Sequence, residues 1–179
     1  MSKQVLILSA SPRKGGNSDT LCDAFRRGAE ESGHTVKKLR LSELNIRYCT
    51  GCGVCNESHC CVQKDDMAQV LEQMLRADVI VLATPVYFYT MDAQLKTLID
   101  RTVPRYTELS DKEFYFILTA ADTDRTMLEK TVEGIRGFTA DCLDNAVERG
   151  ILYGTGVWHT GEVEGTRHME EAYQMGRQV

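Results

Sequence analysis

Residues 5–18 read Val5-Leu6-Ile7-Leu8-Ser9-Ala10-Ser11-Pro12-Arg13-Lys14-Gly15-Gly16-Asn17-Ser18. The four consecutive apolar residues are too few for a helix. A short continuous apolar run bounded by turn residues is the pattern of a strand buried on both faces of a parallel sheet. A Gly- and Ser-containing loop follows, from Ser9 to Asn17. Beyond it Leu21, Ala24, Phe25 and Gly28 recur at helical spacing, with Asn17 or Ser18 as N-cap. Strand, loop and helix thus follow one another directly, and the rest of the chain repeats that order.

Thr35 to Leu41 alternates like a strand exposed on one face. Met67, Val70, Leu71, Met74 and Leu75 mark an amphipathic helix started by Asp65-Asp66. Val79 to Ala83 is a third strand, running into a loop, Thr84 to Phe88. Met91, Leu95, Leu98 and Ile99 mark the next helix, and Glu113 to Thr119 a fourth strand. Residues 124–149 read as helical, kinked or broken at Gly134 and Gly137. Gly150 to Gly154 begins a fifth strand, and Thr166 to Gly176 a last short helix. Such alternation predicts a single α/β domain over residues 1–179, with a Cys-rich loop at about 45–64. Its five-stranded parallel sheet is covered on both faces and doubly wound, in the order 2-1-3-4-5. Ligands of such sheets bind at the carboxyl ends of the strands, here the loops after Leu8, Ala83 and Thr119.

Composition agrees. A chain of 179 residues, 42% hydrophobic and 26% charged, suits one globular domain and excludes disorder and coiled coil. Its net charge of -5 argues against nucleic acid or an anionic membrane as partner. Val5–Leu8 is too short for a signal-peptide core, and no window approaches the ~18 apolar residues of a membrane span. The expected location is cytoplasmic, where thiols stay reduced.

The first loop is rich in donors. Gly15 and Gly16 let backbone N–H groups turn inward, Ser11, Asn17, Ser18 and Thr20 add side-chain donors, and Arg13 and Lys14 add charge. With a helix N-terminus behind it, a phosphate is the natural guest. The loop is neither a G-x-G-x-x-G turn nor a Walker A loop, and its few fixed charges suit a phosphate monoester such as that of FMN. The second loop, Thr84-Pro85-Val86-Tyr87-Phe88-Tyr89, offers a flat apolar wall for a planar ring system. For Tyr89 a place in the core or an interface is the better reading. Thr119-Ala120-Ala121-Asp122 is small and polar, so a ligand can approach its backbone.

Seven cysteines are present, and Cys49, Cys52, Cys55, Cys60 and Cys61 crowd into one loop. The spacing Cys49-x2-Cys52-x2-Cys55-x5-Cys61, with Cys60 as a spare, lets successive thiolates converge on one small [4Fe-4S] cluster. Gly51 and Gly53 give the backbone the freedom to wrap it. Zinc is the metal alternative, although its structural sites usually use two well-separated C-x2-C pairs; a thiol redox pair such as Cys52/Cys55 is a third. Cys22 and Cys142 read as core thiols.

Together these motifs resemble the NAD(P)H-dependent FMN reductase-like flavoproteins, and within them the iron-sulfur flavoproteins. The carrying residues are Ser11 to Ser18, Thr84 to Phe88, Gln94-Leu95-Lys96 with Ile99-Asp100-Arg101, and Gly150 to Gly156. The resemblance implies a flavodoxin-like fold, bound FMN, and a homodimer or homotetramer. It places the FMN phosphate on Ser11, Arg13, Gly16, Asn17 and Ser18. The ring falls against Pro85, Val86, Tyr87 and Phe88, and against the third loop at Ala121 and Asp122. It also supports Cys49, Cys52, Cys55 and Cys61 as cluster ligands. The implied function is an FMN-dependent oxidoreductase passing electrons between cluster and flavin. Its donor would be NAD(P)H or a ferredoxin-like protein, and its partner a small redox acceptor. Two alternatives stand beside it: a cluster-free NAD(P)H-dependent FMN or quinone-type reductase, and a flavin-free interaction module. Ser9-Ala10 departs from the family, where many relatives carry Gly before the Ser-Pro pair. Tyr87, Asp122 and His159 are acid–base candidates without a motif behind them, and the catalytic residues stay unknown.

Overall fold

The computed structural model describes residues 1–179. Strand β1 (Gln4–Ser9) pairs in parallel with β2 (Thr35–Arg40) on one side and β3 (Val79–Tyr87) on the other. β3 pairs with β5 (Glu113–Thr119), which pairs with the edge strand β6 (Val147–Gly154). Alternation along the strands assigns each side chain to a layer. Leu6, Leu8, Ile80, Leu82, Phe114 and Phe116 pack on one face, under α3 (Met67–Arg76), α4 (Ala93–Asp100) and α5 (Glu129–Thr139). Val5, Ile7, Val79, Val81, Tyr115 and Ile117 pack on the other, under α1 (Asn17–Glu31) and α6 (Arg167–Arg177). No helix is long and apolar enough to cross a membrane.

The doubly wound α/β arrangement is present, but the strand count and order differ from the expected five strands in order 2-1-3-4-5. The sheet has six strands in the order β2-β1-β3-β5-β6, with the two-residue β4 (Thr90–Met91) antiparallel to the end of β3. The segment read as a loop after Ala83 continues as strand through Tyr87, then folds back in a hairpin. Its two turn residues, Phe88 (φ 49°) and Tyr89 (φ 62°), both lie in the left-handed region. Two-residue hairpins with that backbone ordinarily carry Asn or Gly, so neither residue type announces the turn.

Other boundaries also move. Residues 124–149 are not continuous helix. A 3-10 turn over Arg125–Leu128 leads into α5, Gly134 and Gly137 lie inside α5 without breaking it, and β6 has begun by Val147. The N-cap of α1 is Gly16, not Asn17 or Ser18. Cys22 is buried as expected, whereas Cys142 is exposed, its thiol donating to the Gly137 carbonyl at 3.1 Å.

Helices α1 and α6 cross at two glycines. A Cβ on Gly28 would lie 2.1 Å from the Tyr173 carbonyl oxygen, and one on Gly176 2.0 Å from that of Phe25. Backbone touches backbone there, which no other residue type allows.

Candidate functional site

The first loop is held from below by Asp19. Its buried carboxylate accepts from Ser9 Oγ (2.7 Å) and from the Gly15 N–H (3.1 Å), and pairs with Lys38 (2.9 Å) and Arg40 (3.3 Å) on β2. Burial acts to raise its pKa, but the bonds from Lys38, Ser9 and Gly15 outweigh it and hold the carboxyl below its ordinary value. The Ser9 hydroxyl is thereby committed to Asp19.

Within the loop, Ser11 Oγ bonds the N–H and carbonyl of Arg13. Gly15 takes φ 65°, and a Cβ on Gly16 would strike Ser11 Oγ at 2.4 Å. As N-cap, Gly16 brings no side chain to the helix, so the first N–H groups of α1 have no side-chain cap. Ser18 Oγ is buried and has no hydrogen-bond partner. Two predicted ligands also have other duties. Arg13 Nη1 donates to the Trp158 carbonyl (2.9 Å). Asn17 donates to the His159 carbonyl (2.9 Å) and accepts from the Val163 N–H (3.3 Å). These bonds tie the first loop to the segment after β6.

A cleft opens above the loop. Ser11, Arg13, Gly16, Asn17 and Ser18 line one wall and Pro85, Val86 and Tyr87 the other, with Ala121 between. Phe88 and Asp122 border an adjoining hollow with Tyr89 and Met127. Phe88 is fully exposed, and the Asp122 carboxylate accepts from the Asp124 N–H at 2.8 Å. Tyr89 is about half exposed, so it belongs to neither core nor buried contact within the chain. His159, an acid–base candidate, has its N–H bonded to Glu162 at 2.9 Å. Thr119 and Ala120 complete the cleft, together with Val157 and Trp158, which motif reading missed. The signal for Trp158 was available: it is the one tryptophan of the chain and lies just past the carboxyl end of the last strand.

Below the β3–β4 hairpin sits Asp92, the N-cap of α4. Its Oδ1 accepts from the Leu95 N–H (3.0 Å), while Oδ2 is buried without a partner. Burial pushes this carboxyl up to about 7, against the opposing pull of the Leu95 and Thr84 bonds.

The cysteine loop leaves at the end of β2 and is closed at its neck. The Asn45 N–H donates to Asp66 Oδ2 (2.7 Å), the Arg47 N–H to Asp65 Oδ2 (3.1 Å), and Gln63 Nε2 to the Tyr48 carbonyl (3.0 Å). Arg101, buried at the end of α4, grips both oxygens of Asp65 at 2.8 and 2.9 Å. That fork holds the Asp65 carboxyl down at about 2. Beyond the neck, Gly51, Gly53 and His59 take positive φ, and Cys55 opens the one-turn helix α2 (Cys55–Ser58). All the thiols are free. Cys49, Cys52 and Cys60 are exposed, and Cys55 and Cys61 half-buried. No three of them are grouped closely enough to hold a metal ion.

A family model described as NADPH-dependent FMN reductase matches residues 4–130. The chain is 45% identical over 102 residues to an iron-sulfur flavoprotein of Archaeoglobus fulgidus, covering 57% of this chain and 46% of that protein. It is 40% identical over 96 residues to an iron-sulfur flavoprotein of Methanosarcina thermophila, covering 54% and 50%. The chain thus spans about half the length of the curated relatives it matches. An NAD(P)H:quinone oxidoreductase from Methanothermobacter marburgensis shares the fold. Its TM-score is 0.71, with 99% of this chain and 97% of that one covered at 20% identity. Sheet, first loop and the match from the first strand to the start of α5 concur: the chain belongs to the NADPH-dependent FMN reductase family.

Proposed function

We propose that residues 1–179 act as one FMN-binding domain of an oxidoreductase, with the flavin in the cleft between the first loop and the end of β3. The observation that carries this reading is the buried, unpartnered Ser18 hydroxyl beside the uncapped first turn of α1. Buried donors without acceptors are unfavourable, and a phosphate would satisfy them together. Gly16, lacking a Cβ, lets the Ser11 hydroxyl and Arg13 pack directly against the start of α1. Ser11, Arg13, Gly16, Asn17 and Ser18 would hold the phosphate. Pro85, Val86, Tyr87 and Phe88, with Ala121 and Asp122, would flank the ring, and Trp158 would cover the cleft mouth. Bound FMN supplies two-electron hydride chemistry and can release electrons singly. The protein's residues bind it, orient it and limit its access to water.

The chemistry of the cysteine loop fits a second group. Five free thiols lie on one Gly-containing loop, and a buried Arg101 N–H has no hydrogen-bond partner. Cys49, Cys52, Cys55 and Cys61 would ligate a [4Fe-4S] cluster once the loop draws them together. An electron-transfer flavoprotein of this kind would take NAD(P)H or a ferredoxin-like donor and serve a small redox acceptor. A cytoplasmic setting and a homodimer or homotetramer complete the reading. The separation of the thiols favours a second reading, a cluster-free NAD(P)H-dependent FMN or quinone-type reductase.

An ultraviolet-visible spectrum with iron and sulfide analysis of anaerobically purified protein tests both. Flavin bands with about four iron and four sulfide per chain are expected. Flavin without iron leaves the cluster-free reading. A colourless protein that cannot be reconstituted with FMN removes the flavin assignment.

A further inference from the structure

We propose that Arg13 is a positioning residue for Trp158: it holds the tryptophan at the cleft mouth, and a phosphate bound on the first loop tightens that hold. Trp158 then closes on a phosphorylated flavin in preference to an unphosphorylated one. The proposal rests on the flavin reading above. The segment after β6 is anchored by Val157 and Val163, both buried in the layer under α1 and α6. Between them the Glu162 carboxylate accepts from the N–H groups of Trp158 (2.6 Å) and His159 (2.9 Å). Asn17 donates to the His159 carbonyl (2.9 Å) and accepts from the Val163 N–H (3.3 Å). The Trp158 carbonyl has a different partner, Nη1 of Arg13 at 2.9 Å. The indole itself is 61% exposed and borders both the cleft and the adjoining hollow. Little burial holds this ring, so its place depends on the two bonds of its own backbone, to Glu162 and to Arg13. Of these two partners only Arg13 also lines the phosphate wall of the cleft.

Arg13 is exposed, and the bond from Nη1 is the one hydrogen bond its side chain makes. A guanidinium has five N–H donors in a planar fork, so the others are left for an anion in the cleft. Fixing a long, exposed arginine costs side-chain entropy, which weakens the bond to the Trp158 carbonyl while the cleft is empty. Once a phosphate has fixed the guanidinium, that bond no longer carries the cost. Phosphate at one end of the cleft and indole at the other are thus coupled through one side chain. A lysine would bring the same charge as a single point, without the fork that spans two acceptors.

The test uses the full chain stripped of flavin, with inorganic phosphate as probe. Trp158 is the one tryptophan, so intrinsic emission reports it alone. Phosphate should protect Trp158 from acrylamide quenching in wild type, and Arg13→Lys should lose that protection even when saturated with phosphate. In flavin titrations, Trp158→Ala should weaken FMN binding about fivefold more than riboflavin binding, the least that such a coupling ordinarily amounts to. A tryptophan that merely walls the ring would cost both flavins alike. The proposal is overturned if phosphate leaves wild-type quenching unchanged, if saturated Arg13→Lys is protected as well, or if Trp158→Ala costs both flavins equally. Should Arg13→Lys take up no phosphate or fail to fold, the flavin pair decides. Wild type that binds neither flavin brings down the flavin reading and this proposal together. Wild type that binds FMN while Trp158 ignores phosphate brings down this proposal alone.

Discussion

Ser18 and Asp92 are buried polar residues left partly unsatisfied, and each makes a prediction of definite sign. Removing the unpartnered Ser18 hydroxyl should weaken FMN binding by roughly fivefold to tenfold, the worth of about 1 kcal/mol of hydrogen bond. The apoprotein of Ser18→Ala should be no less stable than wild type. Flavin fluorescence titration and urea denaturation measure the two effects; unchanged affinity would remove Ser18 from the phosphate site. Asp92 titrates near 7 in the fold, against 3.8 for the free side chain. Its raised pKa means that the folded state holds a proton the unfolded chain releases. Stability attributable to Asp92 is therefore complete below about pH 4 and declines as pH rises toward 7. Asp92→Asn should flatten that decline and gain roughly 2–4 kcal/mol at pH 8, while its amide oxygen can still cap α4. A parallel pH profile for wild type and variant would show that the carboxylate is solvated after all.

Local elements are held together by backbone contacts that side-chain patterns do not advertise. At the hairpin, Phe88 and Tyr89 adopt a left-handed backbone, and Phe88 is fully exposed, so no burial compensates its strain. Phe88→Gly should raise stability by about 1 kcal/mol in urea denaturation. A loss instead would mean that the ring has packing partners. At the α1–α6 crossing the reverse holds. Gly28→Ala and Gly176→Ala would each drive a methyl into a carbonyl, so each should cost about 3 kcal/mol or more, read as a lowered Tm. Periodicity placed Gly28 on the apolar stripe of α1 but could not show that a second helix comes to rest there, 145 residues downstream in the case of the Ser32–Arg177 bond that closes the same crossing.

For the whole molecule, association is the open test: sedimentation should show a mass of two or four chains, and a monomer at micromolar concentration would remove the oligomer from the proposal. At this scale, too, the sequence can be weighed against the fold. The run Val5–Leu8, the alternation of buried strands and amphipathic helices, and the donor-rich loop from Ser11 to Ser18 were legible in the sequence. So was the cysteine spacing. All depend on local periodicity or on residue chemistry at short range, which a linear chain displays. The β3–β4 hairpin was hidden because its turn uses aromatic residues in a conformation they seldom adopt. The second duties of Arg13 and Asn17 were hidden because the segment after β6 meets the loop after β1 only once the sheet is assembled. Residue order determined the α/β architecture and the chemistry available at its loops. Tertiary structure alone decided which donors were already satisfied and which, like Ser18 Oγ and Arg101 Nε, stay free, because hydrogen-bond satisfaction depends on neighbours distant in sequence.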